Sequence, residues 1–437
     1  MIFSSIPFLY YFLPAVLVVY FLTPRRGKNA VLLLSSLFFY GWGEPKLLWL
    51  MVFTIAVFYL CGLAIGRSQR YKKTWLALSA CVGVGLLGLF KYADFFITSL
   101  NAATGLSLPL LKLALPVGIS FYTFQCLSYT VDVYRGAVPP QKNPISFGAY
   151  VALFPQLIAG PIVRYADVAR ELAERTHSWE NVGLGLRRFV IGLSKKVILA
   201  DNLAMLAKLC RESAEPSVAF TWVYAIAFTL NIYFDFSGYS DMAIGLGRIF
   251  GFHFPENFNY PYLSKSVTEF WRRWHISLGS WFRDYVYIPL GGNRVSKGKW
   301  VRNILTVWML TGLWHGAAWN FVLWGLLFAA LLLAVILSFV LFNADTLTQA
   351  GRDFAALFGF AGLPLFTKET GYYLRSYAPL LVIACVGTTP LVKLTAQKMG
   401  ENRAVQMLEP VLWLGLLLIC TAYLVDGSFS PFLYFRF

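Results

Sequence analysis

The sequence predicts an all-α, polytopic integral membrane protein. Of its 437 residues, 58% are apolar and only 13% are charged, whereas about 25% of the residues of a soluble domain are charged. The apolar residues also form a series of long runs with short polar loops between them. Neither a soluble protein nor a disordered chain holds so much apolar surface without lipid around it. No linker and no shift in charge divides the chain, so we expect one membrane domain over residues 1–437.

The apolar runs predict the helices in order along the chain. They cover residues 7–22, 30–42, 47–66, 75–90, 108–131 with an interruption at Pro116, 145–163, 218–236, 304–342, 377–392 and 411–425. Several are shorter than the roughly 20 residues that cross about 30 Å of hydrocarbon, so we expect some to tilt, break or re-enter. No basic segment precedes the first run, which predicts a retained span and not a cleaved signal peptide.

The charged residues are mainly basic, and their positions indicate topology. Lys and Arg number 37 against 21 Asp and Glu, a net charge of +16. In a soluble protein this excess would suggest nucleic acid as a partner. Here the basic residues lie in short loops, as the positive-inside rule and anionic lipids produce. Loops 23–28 and 67–73 are basic and loop 44–46 is nearly neutral, so we expect an outward amino terminus, lipid contact and no nucleic acid.

Two stretches mix charge with apolar side chains. Residues 181–201 place four basic residues among aliphatic ones: Arg187, Arg188, Lys195 and Lys196. Residues 265–290 hold five apolar and aromatic residues at the spacing of one helix face: Trp271, Trp274, Leu278, Phe282 and Tyr285. The second pattern predicts one interfacial helix, with its rings at headgroup depth and its arginines toward phosphates.

The longest run, residues 304–342, contains 39 residues and no Asp, Glu, Lys or Arg. A single helix of that length would be about 58 Å long, roughly twice the hydrocarbon thickness. We predict a break within residues 312–320, where Gly312 and Gly316 allow another backbone to come close. Three residues in this segment carry donors that need partners away from water: Trp314, Trp319 and Asn320.

His315 lies in this break. It follows Ile304 by 11 residues, which is about 16 Å of helix and near the bilayer midplane if the helix starts at the interface. Hydrocarbon disfavours the imidazolium ion, so the ring would stay neutral with one nitrogen free to accept a proton. A structural histidine that hydrogen-bonds across helices explains the sequence equally well.

The other three histidines have different surroundings. His177 is in a charged loop and is predicted to be solvated, and His253 at the end of a run is predicted to be structural. His275 lies on the predicted aromatic face, four residues after Trp271, and can point into the protein. His275 and His315 therefore form the best candidate pair.

Other chemistries lack their motifs. The sequence has no Gly-x-Ser-x-Gly, His-Glu-x-x-His, phosphate-binding or dinucleotide-binding glycine motif, and its six cysteines suggest neither disulfides nor a metal site. Asp235 and Asp241 are six residues apart and do not share a helix face. We interpret them as caps or as partners of a basic loop residue, and a proton or ion path remains open.

Several segments resemble, in order, the membrane-bound O-acyltransferase family, in particular the branch of alginate and peptidoglycan O-acetylation proteins. They are YGWGEPK (40–46), LPVGISFYTF (115–124), GPI (160–162), FDFSGYSD (234–241), FWRRWHISL (270–278), WFRDYVYIPLGGNR (281–294) and LTGLWHGAAWN (310–320). The resemblance implies roughly eleven spans, with re-entrant and interfacial helices around a central funnel, in a bacterial cytoplasmic membrane. One departure is that Asn343 stands where arginine is usual, and only 17 residues separate it from Gly325. The topology after Phe342 is therefore left open.

The resemblance also implies roles for individual residues. The family's essential histidine corresponds to His315, the expected general base, and its second histidine to His275. Candidate substrate contacts are Trp274, Arg283, Asp284 and Asn320, while Arg272 and Arg273 suit the phosphates of coenzyme A or of lipid. No bound cofactor or metal is expected. The acyl donor is expected to be acetyl-CoA or another acyl thioester or acyl carrier on the cytoplasmic side, and a partner protein outside would finish transfer to a polymer.

Three functions fit these observations. The first is a membrane O-acetyltransferase that passes an acyl group toward an extracytoplasmic polysaccharide; the related branch transfers D-alanine to teichoic acid, but the YIPLGGNR ending looks more like the acetyl branch. The second is a transporter of an ion or acylated carrier, with His315 and Asp235 in a proton relay. The third is a platform that recruits a polymer-modifying partner. Transporters often show paired broken spans, and the sequence shows one break, which favours the enzyme.

Overall fold

The computed structural model of the protein describes residues 2–68, 70–157, 160–328, 339–400 and 402–426. Throughout these ranges the regular structure is helical, without a strand. The predicted all-α class is therefore confirmed.

Eighteen helices of seven residues or more organise the described chain. In order they are α1 (Pro7–Leu22), α2 (Lys28–Gly43), α3 (Pro45–Arg67), α4 (Lys72–Thr104), α5 (Ile119–Arg135), α6 (Pro144–Ala152), α7 (Tyr165–Ala173), α8 (Trp179–Ser194), α9 (Asp201–Arg211), α10 (Val218–Ile249), α11 (Val267–Arg273), α12 (Ile276–Phe282), α13 (Lys297–His315), α14 (Trp319–Phe328), α15 (Leu347–Leu357), α16 (Lys368–Gly387), α17 (Leu391–Met399) and α18 (Arg403–Val425). A π-helical turn, Lys195–Ala200, connects α8 to α9. Side-chain caps accept backbone N–H groups at the starts of α6, α11, α15 and α16.

Four of the described helices are long and apolar enough to cross a membrane: α3, α4, α10 and the Val405–Val425 part of α18. Helices α16 and α17 together make a fifth candidate that bends by 77°. The apolar runs thus predicted several membrane helices correctly, and two of the helices extend well beyond their runs. Helix α4 has 33 residues and α10 has 32.

The predicted span over residues 108–131 is wrong in its first half. Residues 105–116 are not helical, and residues 102–115 are exposed, although many of them are leucine. Pro109 and Pro116 cannot donate a backbone hydrogen bond, and the carboxylate of Asp94 accepts the N–H groups of Leu111 and Lys112 at 2.7 and 2.9 Å. Helix α5 starts only at Ile119.

The described chain forms two compact units. The first consists of Met1–Phe189 and Met242–Pro255, and the second of Val190–Asp241 and Glu256–Phe437. In the first unit four buried phenylalanine rings pack with centroids 5.3 to 6.2 Å apart: Phe8, Phe12, Phe39 and Phe154. A single domain over the whole chain remains a prediction.

In the second unit, α13 and α14 form a tight helical hairpin. A Cβ atom on Gly312 would lie 2.2 Å from the Phe321 carbonyl oxygen, and one on Gly325 would lie 2.3 Å from the Trp308 oxygen. The two backbones therefore touch where only glycine fits, a close approach typical of helices packed in lipid. This hairpin contains the break predicted in the longest apolar run, and residues 329–338 of that run lie outside the described residues.

We expect Gly312→Ala to lower the stability of the protein because the new methyl group must separate α13 from α14. Overpacking of this kind costs about 1–3 kcal/mol. The matched control is Gly298→Ala on the same helix, where a Cβ atom meets nothing within 4 Å; alanine there should be neutral or slightly stabilising. The thermal unfolding midpoint of each variant is measured in detergent, with size-exclusion chromatography as the readout of folded protein. Equal midpoints for the two variants would contradict the proposed contact.

Candidate active site

His275 lies at a break between two short helices. Helix α11 ends at Arg273 and α12 begins at Ile276, and His275 between them has φ +44° and ψ 52°. This left-handed conformation costs a non-glycine residue about 1–2 kcal/mol. Asn257 and Asn259 replace the lost helical bonds: the Asn257 carbonyl accepts the Ile276 N–H at 3.0 Å, and the Asn259 N–H donates to the Arg273 carbonyl at 2.9 Å. The single helix predicted over residues 265–290 is therefore wrong.

The aromatic residues of this segment do not form one surface face. Trp274 is 3% exposed, and its ring packs against Phe258, Phe270 and Phe339 with centroids 5.0 to 5.6 Å apart. Phe282 is also buried. The break at His275 turns these two rings into the second unit and not onto one exposed helix face, while the headgroup depth of the segment remains a prediction.

His315 is the last residue of α13. Gly316 follows in an extended conformation, and a Cβ atom on it would lie 2.2 Å from the Phe321 ring, so the chain can turn back into α14 at this point. The predicted break is confirmed. Asn320 is buried, as expected, and its Nδ2 donates to the Ala344 carbonyl at 3.0 Å. Trp319, by contrast, is 55% exposed.

The structure brings His275 and His315 together. Their ring centroids are 6.5 Å apart, and the side chains are 2% and 4% exposed. Trp314 packs against both rings, at 5.6 Å from His275 and 5.0 Å from His315. Trp324 and Phe342 pack on His315, and Phe236 packs edge-on against His275. The candidate site is thus a pair of imidazoles enclosed by aromatic rings.

The imidazole of His275 is neutral at physiological pH. It lies between two seven-residue helices, outside the candidate membrane-spanning segments. Burial lowers the pKa of His275 well below its usual value, because the charged form loses its hydration. A neutral imidazole has one nitrogen that donates and one that accepts a hydrogen bond. Its Nδ1 atom lies 3.2 Å from Asn257 Oδ1.

The four predicted charged contacts lie on more exposed surface. Arg272 is exposed, and Arg273 bonds to Glu269 Oε1 at 2.7 Å. Arg283 donates to both carboxylate oxygens of its neighbour Asp284, at 2.7 and 3.2 Å, with its own side chain 63% exposed. Two surface guanidinium groups on α11 are compatible with a phosphate ligand, but their role, like that of Arg283 and Asp284, remains a prediction.

The two other histidines make structural contacts within the first unit. His177 is half-buried, with Nε2 2.9 Å from the Tyr20 hydroxyl, so the predicted solvated position is wrong. His253 is exposed, and its Nδ1 lies 2.6 Å from Glu171 Oε1. The second contact agrees with a structural role.

The acids of residues 234–241 form ion pairs, as one of the two interpretations of the sequence predicted. Lys196 Nζ lies 2.9 Å from Asp235 Oδ1 and 2.7 Å from Asp201 Oδ1, and all three side chains are at most 6% exposed. Lys195 Nζ lies 2.7 Å from Asp241 Oδ2. The lysines belong to the π-helical turn Lys195–Ala200 and not to a loop. The sequence did signal them, since they stand among aliphatic residues.

The sequence did not predict two residues: Asp201, which pairs with Lys196, and Asn257, which contacts His275. Asp201 looks like an ordinary residue after an amphipathic stretch, and only the fold makes it a second partner of Lys196. Asn257 gave no signal, because it lies 18 residues before His275 in a loop. In the described part of the chain, no group of three or more His, Cys, Asp or Glu residues is placed to hold a metal ion.

The helical chain has apolar helices long enough to cross a membrane and a buried pair of histidines. Residues 34–367 match the family model of the membrane-bound O-acyltransferases. This range covers more than half of the chain, and the protein therefore belongs to that family. The family predicted from its motifs is confirmed.

Curated relatives carry three names. A probable alginate O-acetylase of Azotobacter vinelandii is 47% identical over 329 residues, which cover 74% of this chain and 66% of the relative. The peptidoglycan O-acetyltransferase of Helicobacter pylori is 38% identical over 74% of this chain and 68% of its own length. More distant is the teichoic acid D-alanyltransferase of Bacillus subtilis, 31% identical over 46% of this chain and 54% of its own length.

We expect Lys196→Met to destabilise the protein strongly. The substitution leaves Asp201 and Asp235 buried without their cation, and breaking a buried ion pair in this way costs about 3–5 kcal/mol. Lys208→Met is the matched control, because Lys208 is 71% exposed and faces Glu212 at 3.9 Å. The thermal midpoint in detergent should fall for Lys196→Met and stay constant for the control. Adding Asp201→Asn and Asp235→Asn to Lys196→Met should restore part of the lost stability. Equal thermal midpoints for Lys196→Met and Lys208→Met would refute the buried ion pairs.

Proposed function

We propose that the protein is a membrane O-acetyltransferase. It takes an acetyl group from a cytoplasmic acyl thioester, such as acetyl-CoA, and passes it toward an extracytoplasmic polysaccharide of the alginate, peptidoglycan or another exopolysaccharide type. The observation that carries the proposal is the buried pair His275 and His315, 6.5 Å apart, in a chain of the membrane-bound O-acyltransferase family.

The proposed chemistry is acyl transfer from sulfur to oxygen. The oxygen of an acceptor hydroxyl attacks the thioester carbonyl carbon, and His315 takes the hydroxyl proton as general base. The new C–O bond forms, the C–S bond breaks, and the proton passes from His315 to the departing sulfur, so that an ester and a thiol result. The aromatic rings around the histidines exclude water, which would otherwise hydrolyse the activated acyl group.

The remaining candidates support this reaction as contacts for substrate. Trp274 and Asn320 are buried in the second unit with the histidines. Arg272, Arg273, Arg283 and Asp284 lie on more exposed surface, where a phosphate of the donor or of a lipid can reach the arginines. The donor is a substrate in this proposal, and no bound cofactor is required.

The wider setting is proposed from the resemblance. It comprises roughly eleven spans with a central funnel, a location in the bacterial cytoplasmic membrane, and a partner protein outside the membrane that transfers the acetyl group to the polymer. The apolar helices α3, α4, α10 and α18 support the membrane location.

The alternatives have weaker support. D-alanyl transfer corresponds to a relative of lower identity and coverage. A proton relay through Asp235 conflicts with the contact of its carboxylate with Lys196, which gives that carboxylate a structural partner. The single break seen in the sequence was an argument against a transporter, because transporters often have paired broken spans. The bend between α16 and α17 is a second break, so that argument no longer holds. The family match favours acyl transfer over a transporter or a platform.

We expect His315→Gln to lower acetyl transfer at least about 100-fold, the contribution typical of a positioned general base. The assay follows labelled acetyl groups from the thioester into polymer in membranes that contain the protein and its partner, at equal expression. His253→Gln serves as the control, since that ring is exposed and pairs with Glu171; it should keep wild-type transfer. Full transfer by His315→Gln would refute the general base. Transport of an ion or carrier by purified protein, without any acyl transfer, would replace the enzyme with a transporter.

A further inference from the structure

We propose that Asn257 is a positioning residue that holds His275 as one tautomer, with the proton on Nδ1 and the lone pair on Nε2. His275 then acts in the site as a hydrogen-bond acceptor and not as a donor. The tautomer rests on the hydrogen-bond geometry and on the burial of the ring, while the catalytic consequence rests on the proposed acyl transfer.

The first step is the orientation of the Asn257 side chain. The backbone N–H of Ser277 lies 3.2 Å from Asn257 Oδ1, and the Ser277 hydroxyl donates to the same atom at 2.8 Å. A backbone N–H can only donate, so the side-chain atom that faces it must be the amide oxygen. This contact fixes the orientation of the Asn257 amide.

The second step is the tautomer of His275. Its Nδ1 lies 3.2 Å from the same Asn257 Oδ1. An amide oxygen only accepts hydrogen bonds, so Nδ1 must carry the proton. Because burial keeps the ring neutral, the other nitrogen, Nε2, has no proton and offers a lone pair.

The third step is the position of Nε2. This atom is buried and has no hydrogen-bond partner among the described residues, and a buried polar atom without a partner requires an explanation. The rings that pack on His275 belong to Phe236, Trp314 and His315, and of these only His315 titrates. A hydrogen-bond donor on a substrate, other than the hydroxyl proton that passes to His315, satisfies Nε2.

The backbone supports the same assignment. Asn257 holds both sides of the break, since its carbonyl accepts the Ile276 N–H and its side chain accepts from Ser277. These contacts fix the left-handed conformation of His275 between them. Strained residues of this kind persist where surrounding contacts hold them, and they are concentrated at functional sites.

The test measures the tautomer directly. The chain has four histidines, so ring ¹⁵N signals from histidine-labelled protein in lipid can be assigned with single His→Gln variants. We expect wild-type His275 to show a protonated Nδ1 and an unprotonated Nε2. Asn257→Leu removes the acceptor and should give a mixture of tautomers or the Nε2-protonated form. Ser277→Ala is the matched control, because it removes a hydroxyl from the same oxygen and leaves Nδ1 in contact.

Activity provides the second measurement. Asn257→Leu should lower kcat by about 10- to 100-fold with a smaller change in KM, the loss typical of residues that orient a functional histidine through its other nitrogen. Asn257→Asp keeps an acceptor and adds a negative charge, which raises the pKa of His275. Transfer needs the neutral ring, so the acid limb of the pH–rate profile should move to higher pH. A purely structural asparagine would not move this limb.

The outcomes separate the inference from the proposed function. A wild-type His275 with its proton on Nε2 overturns the inference, and so does an unchanged tautomer in Asn257→Leu. If Asn257→Leu does not fold, two other measurements still test the inference. A proton on Nε2 of wild-type His275 would overturn it, and so would an acid limb that does not move in Asn257→Asp. If the tautomer is as expected and changes in Asn257→Leu, but wild-type membranes transfer no acetyl group, the positioning stands and the proposed function fails.

Discussion

The direct contact between the backbones of α13 and α14 determines where His315 lies. Apolar helices gain little from the hydrophobic effect when lipid surrounds them, so close packing of small residues holds them together. Gly312 and Gly325 provide that packing, because a Cβ atom on either would collide with the other helix. His315 follows Gly312 by less than one helical turn and is the last residue of α13. The crossing thus fixes the ring at the start of a chain reversal, against Trp324 on the returning helix.

The features that were predicted from the sequence are those encoded by neighbouring residues. A run of 39 residues without charge is too long for one span, and glycines with a histidine between them indicate where it breaks. In the same way, lysines among aliphatic residues and acids at the end of an apolar run predict ion pairs, because hydrocarbon does not accept single charges. The structure contains both the break and the pairs.

The features that were missed depend on residues far apart in the chain. The spacing of aromatic residues in 265–290 fits one helix, and nothing local interrupts it. The break comes from Asn257 and Asn259, which take over backbone bonds from a loop before α11. Residues 108–115 are rich in leucine but follow Asp94, whose carboxylate binds two of their N–H groups. In both cases a polar group 14 to 19 residues away overrides the apolar pattern. The periodicity of the segment contains no information about such a distant partner.

The second unit buries polar groups in two different ways, and the difference bears on catalysis. Lys196 lies between Asp201 and Asp235, where opposite charges compensate the loss of water. The described ring contacts of the two histidines are instead with Phe and Trp residues and with each other. A carboxylate beside His275 would stabilise the imidazolium ion and raise the pKa of the ring. An amide fixes the same nitrogen without adding charge. Asparagine at position 257 therefore orients a neutral imidazole and leaves one ring nitrogen able to accept a hydrogen bond.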